Sequence, residues 1–284
     1  MVVMFVCLVV SLEITQGQEA KIDGTHAGGK LVHQLKFVTY NVLADSDQAE
    51  QRVPALMKIL RESRADVIAL QEVAPWFVQM LRKEEWVRDF HVEDGGSTSL
   101  FAREFLILSR FPIEAPRYYD LAGSTGRGVL IARIKAPGFP FEIATVHLES
   151  PLEAGEVRSR QLDRVFELLK NHEDAVFLGD FNFGDAEKPD TAHLSPTFQD
   201  VWKTLFPDDP GYTWNIEKSG IARRSSFPAE KSRRLDRILV RFKKWKAESA
   251  AILGDKPVVE GQDDVFPSDH FGLTATVRRE ADQE

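Results

Sequence analysis

Three short apolar, β-prone runs in this chain stop abruptly at residues that can hold a metal ion or move a proton. Leu35–Tyr40 runs into Asn41, Val67–Leu70 into Gln71 and Glu72, and Ala175–Leu178 into Gly179-Asp180-Phe181-Asn182. Near the end the order is reversed, with Phe266-Pro267-Ser268-Asp269-His270 preceding the β-like run Phe271–Val277. Buried strands rarely accommodate Asp, Glu or Asn, so polar groups at strand ends should gather on one rim of a sheet. A further run, Phe141–Val146, delivers His147 to the same rim. Carboxylates, amides and imidazoles brought together in this way suit hydrolysis of a phosphate ester with a hard divalent cation.

No Gly/Ser linker, Pro-rich tract or repeat divides the 284 residues, so residues 34–280 read as one domain behind an N-terminal segment, 1–33. The net charge of −8 gives no whole-molecule attraction for polyanions. Local basic clusters do exist, at Arg223-Arg224, Lys231-Ser232-Arg233-Arg234 and Arg241–Lys246. They read either as a basic ridge around an acidic pit or as a solvated face. Residues 1–12 are almost wholly apolar but too short to cross a bilayer as a helix, so no transmembrane span is expected. The run resembles the apolar part of a secretory signal, with Thr15-Gln16-Gly17 as the cleavage site, although no positive charge precedes it. Cleavage of residues 1–17 would make the protein secreted or periplasmic; a retained segment implies an intracellular protein, nuclear in a eukaryote. The only cysteine is Cys7, and a cysteine-free body excludes disulfides, thiolate metal sites and a catalytic thiol.

Val53, Leu56, Met57 and Leu60 follow the spacing of a helix with one buried face. Ala74–Leu81 predicts a short helix with Pro75 in its first turn. A longer helix is predicted over 155–171, with Leu162, Val165, Phe166 and Leu169 on its apolar side. Phe105–Ser109, Gly128–Ile134, Phe141–Val146 and Arg237–Val240 read as further strands. Helices alternate with buried strands early and hairpin-like strands occupy the middle, which predicts an α/β sandwich with mixed sheets.

Glu72 is the best single metal-ligand candidate, because a carboxylate directly after an apolar strand is costly unless paired or coordinating. Capping of the following helix is its alternative role. Asn41 offers an amide to the metal or to a phosphate oxygen, or ends a strand in a turn. Asp180 and Asn182 lie two apart, and in extended backbone both would face the site while Phe181 packs inward. Asp180 would then hold or deprotonate an attacking water and Asn182 would orient a phosphate oxygen. Asp269 offers a second ligand, and Asp236 a carboxylate to fix and charge the His270 imidazole. His147 is placed to donate to a non-bridging phosphate oxygen. A Ser-His-Asp hydrolase with Ser150 or Ser268 as nucleophile ranks low, since neither serine sits in a Gly-x-Ser-x-Gly elbow. No phosphate-binding loop, dinucleotide fingerprint or zinc spacing occurs.

With these residues in order, the segments VTYNVLAD, DVIALQEV, ATVHLES, FLGDFNFG, RRLDRILV and FPSDHFGL make the chain resemble the endonuclease/exonuclease/phosphatase superfamily. Within it, HLES, GYTWN, LDRILVR and FPSDHFG look most like the tyrosyl-DNA phosphodiesterases that remove 5′-linked tyrosine from DNA. The resemblance implies a DNase-I-like four-layer α/β sandwich of two mixed sheets flanked by helices. It also implies a Mg²⁺ site (Mn²⁺ as substitute) at Glu72, Asn41 and Asp269, with Asp180, Asn182, His147, His270 and Asp236 as catalytic residues. Asn41, Ser150, Trp214 and Arg237 match substrate-side positions, Trp214 as a stacking surface. DNA ends would be the substrate and the protein is taken as a monomer. Gly184 stands where those enzymes carry an arginine. Two readings compete: a secreted nuclease or phospholipid/sugar-phosphate phosphodiesterase on the same scaffold, and a catalytically silent binding module.

Overall fold

Side-chain alternation sets the layers. In the first strand Leu35 and Phe37 enter one apolar cluster while Val38 and Tyr40 enter another on the opposite face, as a period of two requires. The computed structural model describes residues 31–94, 104–262 and 264–280, so the reading of residues 1–17 as a leader lies outside the described residues. The elements are β1 (Gln34–Asn41), α1 (Ala49–Ser63), β2 (Val67–Gln71), α2 (Pro75–Leu81), β3 (His91–Glu93), β4 (Phe105–Ser109), β5 (Ile113–Asp120), β6 (Gly128–Ala136) and β7 (Phe139–His147). There follow α3 (Gly155–Leu169), β8 (Ala175–Asp180), β9 (Gln199–Asp200), α4 (Val201–Leu205), α5 (Gly220–Ser225), β10 (Asp236–Arg241), β11 (Trp245–Leu253) and β12 (Gly272–Arg279).

Two six-stranded sheets result, ordered β11-β12-β1-β2-β4-β3 and β5-β6-β7-β8-β10-β9. Only β1/β2 and β7/β8 run parallel, and each of those connections carries a helix, α1 or α3, as parallel pairing demands. Leu35, Phe37, Val67 and Ile107 of one sheet face Leu130, Phe141, Val176, Leu178 and Ile238 of the other in one continuous core. The outer face of the first sheet packs Val38, Tyr40, Ile68 and Leu70 on Val53, Leu56, Leu60 and Phe77 of α1 and α2. That of the second packs Val146, Ala175 and Phe177 on Leu162, Val165 and Leu169 of α3. Each such fully buried side chain contributes about 1.5–3 kcal/mol. The architecture is the predicted four-layer α/β sandwich.

Register aligns the strand ends. In the second sheet His147, Asp180 and Asp236 occupy one row across β7, β8 and β10. In the first, Asn41 pairs with Gln71 across β1 and β2. Gln71 ties the sheets together near this edge: its amide donates to Thr145 Oγ1 at 3.0 Å and its carbonyl accepts from Thr39 Oγ1 at 3.3 Å. Gly179 is required here, since at φ 139° a β-carbon would lie 2.2 Å from the Val146 carbonyl oxygen. The edge strands β5 and β11 escape the sequence reading. Each is half-exposed with an irregular burial pattern and carries a register shift, so neither shows clean alternation.

Candidate active site

The row in the second sheet and the loops around it form a pit of about 200 Å³, lined among others by Glu72, His147, Asp180, Asn182, Asp269 and His270. Asp180 lies at its centre. Its Oδ2 is 3.5 Å from Nε2 of His147 and 3.6 Å from Nε2 of His270, and it accepts from the Asn41 amide at 3.0 Å. Its Oδ1 accepts from the backbone N–H of Asn182 at 2.9 Å. Burial pushes this carboxyl upward, but the two imidazoles and these hydrogen bonds outweigh it and hold Asp180 below the ordinary carboxylate range.

Each imidazole is backed by its own carboxylate. His270 Nδ1 lies 2.9 Å from Asp236 Oδ2, and Asp236 is fully buried. Burial disfavours the imidazolium, yet Asp236, Asp180 and Asp269 together raise His270 well above the usual histidine value. Burial, reinforced by the charge of Asp180 against the opposing imidazole, leaves Asp236 above the usual carboxylate value. His147 Nδ1 lies 2.8 Å from Glu104 Oε2, and Arg127 Nη1 donates to the same carboxylate at 3.0 Å. Burial lowers His147, and Glu104 and Asp180 more than compensate. Both imidazoles thus face one carboxylate with a second carboxylate behind each.

Glu72 and Asp269 face the pit from the first sheet's side. Glu72 has a left-handed backbone, φ 55°, rare for a non-glycine residue and characteristic of functional positions. Its carboxylate accepts from the Asn41 amide at 2.9 Å and from the Ala44 backbone at 3.1 Å. Asp269 is buried and accepts from the His270 backbone at 3.1 Å. Burial and the neighbouring charge of Glu72 push Asp269 up to about 6, with His270 opposing. A buried carboxylate and a half-buried one whose charges oppose each other are hard oxygen donors and fit a divalent cation. Asp180, Asp236 and His270 also bring ligand atoms within 4.8 Å of one another. In that trio the imidazole already bridges the two carboxylates, Nδ1 to Asp236 at 2.9 Å and Nε2 to Asp180 at 3.6 Å.

The structure brings most of the expected residues together and corrects several roles. Asn182 does face the pit, but not through an extended alternation. Its φ is 57°, and a tight turn closed by the Asp180 carboxylate aims it there. Its amide nitrogen donates to the Leu148 carbonyl at 2.8 Å, which leaves its oxygen side toward the pit. Phe181 packs inward against Phe177 and Phe183 as expected. Asn41 spans Glu72 and Asp180 as a donor, and its carbonyl oxygen is engaged by the Leu43 backbone at 3.1 Å. It therefore fixes the spacing of the two carboxylates. Ser150 and Trp214 line the pit. Trp214 is not a free stacking surface, because it is buried edge-on against His270 with centroids 5.1 Å apart. Ser268 donates to the Asn41 carbonyl at 2.7 Å and so supports the loop rather than acting as a nucleophile.

Arg237 is the clear misassignment. It is fully buried, stacks on Phe183 at 4.3 Å and donates to the carbonyls of Phe183 and Arg234 at 2.8 and 2.9 Å and to Asp185 at 3.0 Å. Burial pulls it down to about 10, aided by Arg234. It holds the Asn182–Asp185 turn from beneath and cannot touch substrate. Arg234 likewise pairs inside with Asp185 and Asp200, so this member of the expected basic ridge is internal scaffolding. Glu104 and Arg127 went unrecognised in the sequence. Their only signal is position, one just before β4 and the other just before β6, and nothing local links them to His147.

A model of the endonuclease/exonuclease/phosphatase family matches residues 38–270. Rattus norvegicus tyrosyl-DNA phosphodiesterase 2 is 28% identical over 251 residues, covering 86% of this chain and 66% of the relative. The Xenopus laevis protein of the same name is 30% identical over 252 residues, covering 84% and 64% respectively. The chain thus spans slightly less than two thirds of the length of these relatives. Among solved structures, Danio rerio TDP2 complexed with single-strand DNA product superposes with a TM-score of 0.71 at 25% identity, covering 86% of this chain and 99% of that one. A match that runs from β1 through to His270 takes in every residue of the pit, and the chain belongs to the endonuclease/exonuclease/phosphatase family.

Proposed function

We propose that the protein is a metal-dependent phosphodiesterase that hydrolyses 5′-phosphotyrosyl-DNA links, processing DNA ends. The observation that carries the reaction type is the pair of carboxylate-backed imidazoles, His147 with Glu104 and His270 with Asp236, converging at 3.5 and 3.6 Å on one Asp180 oxygen. A phosphate placed there meets two cationic donors for its non-bridging oxygens, while Asp180 orients and deprotonates the attacking water. Asn182 supplies a further contact to the phosphate from its turn. Glu72 and Asp269 would hold the cation, Mg²⁺ in this reading, which supplies charge stabilisation for the developing oxyanion. The relatives named tyrosyl-DNA phosphodiesterase 2 support the substrate class.

The test is direct. The purified chain is assayed with Mg²⁺ or Mn²⁺, and with EDTA, on a 5′-phosphotyrosyl oligonucleotide, plain DNA and a phospholipid head-group ester. Metal-dependent release of tyrosine is expected, lost in E72A and D180A while thermal unfolding shows both variants folded. Cleavage of the lipid ester alone would overturn the substrate, and near-wild-type turnover by either variant would overturn the site.

A further inference from the structure

Beside the reacting centre, one wall of the pit includes an arginine. Arg233 is paired with Trp214 in an antiparallel bridge, N–H to carbonyl at 2.8 and 2.9 Å in the two directions. Directly opposed residues in such a bridge project to the same face, so the indole and the guanidinium stand side by side, and both line the pit. Arg233 is buried, and its Nε, like the Trp214 Nε1, has no hydrogen-bond partner among the described residues. An unpaired buried N–H is costly and calls for an explanation. The other face of Arg233 borders a second cavity of about 480 Å³.

Two carboxylates restrain the guanidinium in different ways. Glu230 is almost fully buried and binds Nη2 closely. Glu187 reaches Nη1 at 3.1 and 3.3 Å, yet its side chain remains 31% exposed. The first contact is a permanent mount. The second is an ion pair at the solvent boundary, which contributes little and is readily exchanged for another anion. Gly184 preserves the space for it: a β-carbon there would approach Glu187 Oε1 to 3.0 Å and Arg233 to 3.5 Å. The two donors aimed at the reacting phosphate are already the histidines, so this arginine, set in the wall beyond Trp214, is available to a different anion of the same substrate.

We propose that Arg233 binds a second phosphate of the substrate, the one neighbouring the scissile phosphodiester, and that Glu187 occupies the guanidinium until this phosphate displaces it. The proposal rests on the phosphodiesterase reading of the site and adds to it a requirement: the preferred substrate carries at least two phosphates in succession. Arg suits this role through its planar fork of donors, which a lysine cannot reproduce.

Two esters separate the possibilities, a 5′-phosphotyrosyl oligonucleotide and thymidine 5′-(4-nitrophenyl phosphate), which has only the scissile phosphate. For R233Q the ratio of kcat/KM values, oligonucleotide over nucleotide ester, should fall by about tenfold. For E187Q the same ratio should rise by about three- to fivefold, because a competitor of the phosphate has been removed. Binding of the 5′-phosphorylated single-stranded product should lose about 0.7 from its log–log salt slope in R233Q, and the slope should persist in R233K, which keeps the charge. A purely structural ion pair predicts ratios that shift together or not at all, and either outcome overturns the proposal. If the wild type cleaves neither ester with metal, the phosphodiesterase reading falls and takes this one with it. If it cleaves both but R233Q leaves the ratio intact, only the role of Arg233 fails.

Discussion

Replacing Asp185 by asparagine removes the one carboxylate shared by three cations: Arg234 at 2.6 Å, Arg237 at 3.0 Å and Lys203 at 3.0 Å. Arg234 retains Asp200 at 2.8 Å, and Lys203 is solvated enough to lose little. Arg237 is the vulnerable point, being fully buried with Asp185 as its only carboxylate partner among the described residues. Removing one member of a buried pair leaves an uncompensated charge and costs about 3–5 kcal/mol. The partial exposure of Asp185 places the expectation at the low end, about 3 kcal/mol. For a domain of this size that corresponds to a Tm lower by roughly 6–12 °C. The pH dependence follows from the depressed Asp185 carboxyl, which burial raises but Arg234, Arg237 and Lys203 pull below its unfolded value. Its contribution is full above the unfolded value near 3.8 and disappears as pH falls through the folded one. Urea unfolding of wild type and D185N should therefore show a gap that is constant at neutral pH and closes in acid below about pH 4. A gap under 1 kcal/mol at pH 7, or one that persists unchanged in acid, would refute the reasoning. Because Arg237 also holds the Phe183 carbonyl, D185N should loosen the Asn182 turn and lower kcat as well as stability.

Two further outcomes follow from the geometry. E104Q removes the carboxylate that His147 Nδ1 (2.8 Å) and Arg127 Nη1 (3.0 Å) share, and kcat should fall by about 10- to 100-fold together with a loss of stability comparable to that of D185N, read by steady-state kinetics beside a melting curve. G179A places a β-carbon 2.2 Å from a backbone oxygen at a positive φ, so it should abolish soluble expression or lower Tm far more than a surface substitution, checked by thermal unfolding.

Most of the catalytic set is legible in the sequence because burial and polarity conflict so visibly at the strand ends. Asp180, Glu72, Asp269 and the two histidines each interrupt or border an apolar run, and strand order then does the gathering. What was illegible had no local conflict. Glu104 lies 43 residues before His147 and joins it only where the two sheets stack, since it precedes β4 of the first sheet and His147 ends β7 of the second. Arg237 enters the substrate set through the resemblance alone. Cation–π contact with Phe183, backbone carbonyls and Asp185 account for its burial instead. Asn182 reached the right place by a left-handed turn rather than by pleat, a distinction set by φ and invisible to residue spacing. The edge strands β5 and β11 failed for a simpler reason: largely open to solvent and with a register shift along their length, they carry no period to detect.

The row formed by His147, Asp180 and Asp236 has a consequence for how molecules of this protein can fail. A strand that pairs one residue out of step turns every side chain to the opposite face, so a slip of β7 or β10 against β8 would send an imidazole or its carboxylate into the helical layer. Such a molecule could keep much of its secondary structure and still lack the pit. Turnover per mole is thus a count of chains with correct strand alignment, and a preparation whose circular dichroism is intact but whose specific activity is halved would have lost register rather than secondary structure.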